Sequence, residues 1–242
     1  MCVFNQDGIV IYNDDFKNVL GKCKSNSVDL IITDPAYKTT KRGISKNTTT
    51  GGLVRSELGR QGKIFQHNDV KIRDFMPELY RVLKEGSHCY IMTNHKNLVE
   101  MLNTAVNCGF KVIKSLIWDK GNKIMGQSYM SQYEYILFFR KGRHKKINNC
   151  GTSDILSIPN KKMKDENGKN LHDTEKPVKL MMTLIENSSN EGDLIVDPFM
   201  GIGGVAIACK KLNRCFGGCD IDTEYFQITK DRLNNKYNEF NK

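Results

Sequence analysis

The sequence predicts an α/β fold built on a doubly wound, mostly parallel sheet. Strand-like and helix-like segments alternate along the chain, the pattern of strands joined by crossover helices. One run, Val28-Asp29-Leu30-Ile31-Ile32-Thr33, is apolar enough to be a strand buried on both faces. A second segment, Asp193 to Ala206, reads as strand, glycine turn and helix, the unit that brings ligands to the carboxyl edge of such sheets.

The elements follow in order. Gly8–Tyr12 predicts a short strand and Asp14–Leu20 a short helix or turn. Strand 28–34 comes next. Residues 38–66 hold Gly, Thr, Ser, Lys and Arg with little periodicity, and a stretch that long in a compact domain is a functional loop or disorder. Residues 69–84 predict a helix with Val70, Phe75, Leu79 and Leu83 on one face and a bend at Pro77. A strand at 87–93, a helix at 95–107 and a strand at 110–118 follow. Tyr133–Phe139 is another strand. Its connection, 119–130, has no room for a crossover helix, so the two strands pair antiparallel. Residues 141–173 are basic, polar and broken by Gly and Pro, an insert rather than core. Helix 176–189, strand 193–197, helix 203–212, strand 214–219 and an amphipathic helix at 223–237 complete a single domain, 1–242, without internal repeat.

Composition narrows the function classes. A formal net charge of +10 on 242 residues favours a polyanionic partner. No apolar stretch approaches the roughly 20 residues of a membrane span, and Met1–Asp7 lacks the regions of a signal peptide. A cytoplasmic location without membrane contact is therefore expected. The eight cysteines form no Cys-x-x-Cys pair and no zinc-like pattern with His. They read as reduced packing residues, and no metal is expected.

Two segments carry chemistry. Asp34-Pro35-Ala36-Tyr37 closes the apolar run. It projects a carboxylate, a stiff backbone and an aromatic face from one strand end, where a flat hydrogen-bonding ring can be stacked and its amino group held. Asp197-Pro198-Phe199-Met200-Gly201-Ile202-Gly203 closes the second strand. Its glycines admit a ligand close to the backbone beside free helix N–H groups. Gly201, Gly203 and Ala206 also satisfy the dinucleotide fingerprint, with Asp220 at the end of the next strand. On this stretch alone an NAD site, a methyl-donor site and a plain tight turn all stay open, and Phe199 reads equally as core or as a face for a cofactor.

The tetrad resembles the Asp-Pro-Pro-Tyr motif of amino-methylating DNA methyltransferases, with Ala36 replacing the second Pro, and the glycine turn resembles their Asp-Pro-Phe-x-Gly-x-Gly segment. Ile11-Tyr12-Asn13-Asp14-Asp15-Phe16 is similar to the family's opening strand and turn, and His172-Asp173-Thr174-Glu175-Lys176-Pro177 to its His-x-Thr-x-Lys-Pro segment. Leu116–Lys120 and Glu134–Leu137 match as scaffold, with Trp118 read as core. The order, tetrad first and glycine turn later, is that of the permuted β class.

The resemblance implies a seven-stranded, Rossmann-like methyltransferase sheet with one antiparallel strand, S-adenosylmethionine as methyl donor and double-stranded DNA as partner. It implies transfer to adenine N6 on a flipped-out nucleotide, because related cytosine-N4 enzymes more often carry Ser where Asp34 stands. Cytosine N4, and an inactive cofactor- or DNA-binding accessory subunit, are the alternatives. Asp34 and the Pro35 carbonyl would take the two amine hydrogens, Ala36 keeps the turn's carbonyl, and Tyr37 would stack on the base. Asp15 would approach the donor's adenine, Thr174 and Lys176 its carboxylate, and Asp220 its ribose. Asp197, Phe199, Gly201 and Gly203 would form the donor cradle. Lys38, Lys41, Arg42, Arg55 and Arg60 in a mobile DNA-facing loop, 38–66, and Lys141, Arg143, Lys145 and Lys146 in a short target-recognition insert, 141–173, are the expected phosphate contacts. Members of the family pair, so a homodimer is expected, in a restriction-modification setting.

Overall fold

A computed structural model describes residues 2–36, 70–124, 129–164, 168, 175–237 and 239. Nine strands form one sheet among them: β1 (Cys2–Gln6), β2 (Ile9–Asn13), β3 (Val28–Thr33), β4 (Leu83–Thr93), β5 (Lys111–Ile124), β6 (Ser131–Arg140), β7 (Ile155–Ser157), β8 (Leu194–Asp197) and β9 (Cys215–Asp220). The helices are α1 (Phe16–Lys22), α2 (Ile72–Val82), α3 (Leu98–Asn107), α4 (Val178–Ser188), α5 (Gly204–Lys211) and α6 (Thr223–Leu233).

The strand order is β1-β2-β9-β8-β3-β4-β6-β5-β7. The chain moves from β3 toward β4 on one side and from β8 toward β9 on the other, so β3 and β8 flank the point where the winding reverses. They pair in parallel, Leu30 with Ile195 and Ile31 with Val196. Ligands of open α/β sheets enter at such a reversal, beyond the carboxyl ends of the strands.

Alternation within β3 explains the two cores. Leu30 and Ile32 face one side, with Leu180, Leu184, Ile207 and Phe226 of α4, α5 and α6. Ile31 faces the other, with Leu20, Phe75, Leu79, Met101 and Ala105 of α1, α2 and α3, and Val28 joins that side because the register with β4 shifts between Val28 and Leu30. Full burial on both faces is why this strand is nearly all apolar.

Several expectations need correction. The sheet has nine strands rather than seven, because β1 and β7 join it. β1 pairs antiparallel with β2 through a turn at Asp7 (φ 51°) and Gly8 (φ 79°), and Asp-Gly is a strong hairpin signal. β6 is antiparallel to both β4 and β5, as expected. The helix expected over 69–84 stops at Val82, and Leu83 pairs with Val28 as the start of β4. Residues 141–173 are not wholly an insert outside the core. β7 pairs with β5, Leu156 and Ile158 are buried, and the Trp118 indole donates to the Ile158 carbonyl at 2.8 Å.

Candidate active site

Asp34 follows directly on β3 and is half-buried, with Pro35 buried behind it. The end of β8 lies alongside. Thr33 Oγ1 donates to Asp197 Oδ1 at 2.7 Å, and the Phe199 amide donates to the same oxygen at 3.0 Å. The Asp-Pro-Ala segment and the glycine turn are thus hydrogen-bonded neighbours on one edge of the sheet. Burial pushes the Asp197 carboxyl up to about 7, against the two hydrogen bonds and with help from Asp34 and Asp220. Asp197 therefore ties two strand ends together, and it is buried at 4% exposure rather than displayed.

The glycine turn has the geometry of a cradle. Gly201 (φ 53°) and Gly203 (φ 79°) adopt left-handed backbone, which favours glycine. A Cβ on Gly201 would meet open space, whereas one on Gly203 would strike the Thr229 side chain. Asp220 braces the turn. Its Oδ2 accepts the Gly201 amide and its Oδ1 the Asp222 amide, each at 2.9 Å. Burial raises the Asp220 carboxyl to about 6 despite those bonds. A carboxylate offers about four acceptor positions, so each oxygen keeps capacity for a ligand hydroxyl. Ile221, next along, is a large apolar side chain left 47% exposed.

Asp15 lies on the same edge, since Asn13 pairs with Asp220 and the Asp14 amide donates to the Asp220 carbonyl. Its Oδ1 caps α1 by accepting the Lys17 amide at 2.8 Å. Phe199 is half-buried, with its ring 5.0 Å from Phe16 and 5.5 Å from Phe75. Core packing thus claims part of that ring and leaves part exposed.

Lys176 sits just before α4, and its ammonium donates to Asp34 Oδ2 at 2.5 Å. It also lies 3.3 Å from Glu134 Oε2 on β6, and Glu134 Oε1 accepts from Lys120 of β5 at 2.5 Å. Sequence reasoning assigned both Glu134 and Lys120 to scaffold. The available signal was their placement: Trp118 and Glu134 are opposite one another on antiparallel strands, so Lys120 shares their face by the period of two. Burial, reinforced by Glu134 and opposed by Lys176, holds the Asp34 carboxyl above its usual range. Burial acts on Glu134 too, but Lys176 and Lys120 together outweigh it and hold that carboxyl below its usual range.

Other expected residues are distributed differently. Tyr37, Lys38, Lys41, Arg42, Arg55, Arg60 and Thr174 lie outside the described residues. Lys141 is not a surface cation. It is 8% exposed, and its ammonium donates to Asn26 Oδ1, the Tyr80 carbonyl and the Leu83 carbonyl at 2.7–2.9 Å. Arg143, Lys145 and Lys146 are exposed, but at the opposite edge of the sheet. Arg140, where β6 ends, pairs with His88 near the start of β4's paired stretch, whereas Tyr135 pairs with Thr93 at its carboxyl end. The antiparallel course of β6 carries 141–146 away from Asp34. β7 then runs parallel to β5 and brings the chain back. Residues 158–163 follow the carboxyl edge, where the Met163 amide donates to Glu175 Oε2 at 2.9 Å. Lys161 and Lys164 are the exposed cations there.

Comparison with known proteins gives the family and the fold. The N6/N4 methyltransferase family model, described as DNA methylase, matches residues 28–231. The chain is 30% identical to the type II methyltransferase M2.DpnII of Streptococcus pneumoniae over 247 residues, covering 95% of this chain and 91% of that protein. It is 31% identical to the type II methyltransferase M.HpaI of Haemophilus parainfluenzae over 246 residues, covering 91% and 73%. Its fold is similar to M1.HpyAVI in complex with SAM (TM-score 0.68, 24% identity, 93% of this chain and 100% of that one). It is also similar to the cytosine-N4-specific PvuII DNA methyltransferase (TM-score 0.72, 15% identity, 93% and 86%).

Proposed function

The chain belongs to the N6/N4 family of DNA methylases, and from that footing we propose that it methylates the exocyclic N6 of adenine in double-stranded DNA, on a nucleotide turned out of the helix. It is an S-adenosylmethionine-dependent DNA methyltransferase, in line with its relatives and structural neighbours. The observation that carries the reading is the shared sheet edge: Asp34 and the glycine turn are joined through the Thr33–Asp197 hydrogen bond.

The residues present fit the donor. The open side of Gly201 leaves room against the backbone, Asp220 offers spare acceptor positions to ribose hydroxyls, and Ile221 offers an apolar face to a flat ring. Asp15 and Phe199 border the same site, and Lys176, with Thr174, would hold the carboxylate. When bound, the donor supplies a methyl group on a sulfonium, already a strong electrophile.

The protein's task is orientation and charge placement. An adenine amine is a poor nucleophile because its lone pair is delocalised into the ring. Asp34 accepts one amine hydrogen and the Pro35 carbonyl the other, which turns the lone pair toward the methyl group. Tyr37 stacks on the base. The N–C bond forms as the C–S bond breaks, its electron pair stays on sulfur, and the amine's proton leaves through Asp34. Ala36 removes a ring from the family tetrad but none of these groups. Flipping the nucleotide costs a few kcal/mol, offset by pocket contacts. Lys161 and Lys164, with the basic residues of 38–66, contact phosphates. Two copies pair in solution, which light scattering of the purified protein would check.

Nucleoside mass analysis of unmodified duplex DNA treated with protein and donor decides the base. N6-methyl-2′-deoxyadenosine is the expected product. N4-methylcytosine would overturn the adenine assignment, and donor binding without any methylated product would make the chain an accessory subunit. Asp34→Ala should bind donor and transfer nothing. Unchanged turnover in that variant would end the Asp34 assignment.

A further inference from the structure

Four charged groups alternate in sign around the end of β3: Asp34, Lys176, Glu134 and Lys120. The contacts run 2.5 Å from Asp34 to Lys176, 3.3 Å from Lys176 to Glu134 and 2.5 Å from Glu134 to Lys120. They come from four places in the fold, the carboxyl end of β3, the interior of β5, the first half of β6 and the residues just before α4. The Lys176 and Lys120 side chains are only 11% and 10% exposed, and burying a charge is costly unless an opposite charge sits beside it. Among the described residues, Glu134 Oε2 is buried with no well-aligned hydrogen-bond donor and faces the Lys176 ammonium at 3.3 Å.

A carboxylate locked onto an ammonium is a weakened acceptor. The target amine is a feeble donor and competes poorly for it. We infer that Glu134, braced by Lys120, is a positioning residue for methyl transfer: it shares the Lys176 ammonium with Asp34 and so leaves Asp34 free to orient the target amine. This rests on the role proposed above for Asp34. Lys120 sets how strongly Glu134 pulls. It occupies Oε1 and leaves Oε2 to Lys176.

The electrostatics give the two partners opposite signatures. Among the described residues, the charged groups acting on Asp34 are Lys176, Glu134 and Lys120, with Asp197 of β8 coupled to it. Removing the Glu134 charge gives Asp34 a larger share of the Lys176 ammonium and lowers the pH at which Asp34 protonates. Removing the Lys120 charge does the reverse. A role in packing alone predicts no such opposition.

The test is methyl transfer to unmodified duplex DNA at saturating donor and DNA, from about pH 5 to pH 9. Glu134→Gln is expected to lower kcat on the order of 10²-fold and to move the acidic limb of its pH profile to lower pH. Lys120→Met is expected to move that limb to higher pH, and Glu134→Asp to recover part of the rate. Limbs that stay in place, or move the same way in both variants, overturn the inference. Should Glu134→Gln fail to fold by its thermal melt, the direction in Lys120→Met decides alone; loss of folding in both assigns the pair to stability and overturns it. A wild-type protein that transfers no methyl group overturns the functional reading and this inference with it. An active wild type with unmoved limbs in the variants overturns the inference alone.

Discussion

Thr33→Val probes the joint between the two halves of the site. Thr33 and Asp197 are 1% and 4% exposed, and the Thr33 hydroxyl donates to Asp197 Oδ1 at 2.7 Å. Valine matches threonine in shape, so the substitution removes a donor without opening a cavity. Asp197 titrates near 7 in the folded protein against a reference value of 3.8. Below about pH 4 both folded and unfolded chains hold its proton. As pH rises toward 7, the unfolded chain has released it and the folded chain has not, so stability declines. The decline is on the order of 4 kcal/mol once the buried carboxylate is ionised. Thr33 offsets part of that cost only when Asp197 is charged. A hydrogen bond to a charged group contributes about 1.5–3 kcal/mol, and a neutral one about 0.5–1.5. Thr33→Val should therefore lower Tm by roughly 3–10 °C near pH 8, and by about half as much near pH 5.5. Thermal and urea denaturation at both pH values measure it. An equal loss at the two, or a larger loss in acid, would refute the assignment of a charged Asp197 bridge.

Gly203→Ala should cost about 1–3 kcal/mol, because the φ of 79° disfavours a side chain and the new methyl presses on Thr229; a melt identical to wild type would contradict this. Asp220→Ala should weaken donor affinity by calorimetry while the same base is modified, and unchanged affinity would show that Asp220 serves only the turn. Lys141→Met should destabilise by about 1–3 kcal/mol through orphaned carbonyls, with no change in the salt dependence of DNA binding. Lys161→Ala, by contrast, should reduce that salt slope by about one.

What the sequence determined by itself was local chemistry. An apolar run ending in Asp34-Pro35, and a strand ending in a turn with Gly201 and Gly203, are legible because strand burial and left-handed backbone are written within a few residues. The alternation of strands and helices carried the layered fold in the same way. The Asp7-Gly8 hairpin was equally local and was overlooked. The tertiary structure alone decided which strand ends meet and which edge each loop reaches. Thr33 finds Asp197 because β3 and β8 flank the reversal in winding. Lys176 reaches Asp34 across 142 residues of chain. Lys141, a charged residue among charged neighbours, proved to be an internal anchor. Residues 143–146 were carried to the far edge because an antiparallel strand reverses the direction of everything after it. A side chain's type follows from its own codon, but the charges it faces follow from the strand order, and that depends on pairings between segments far apart in the chain.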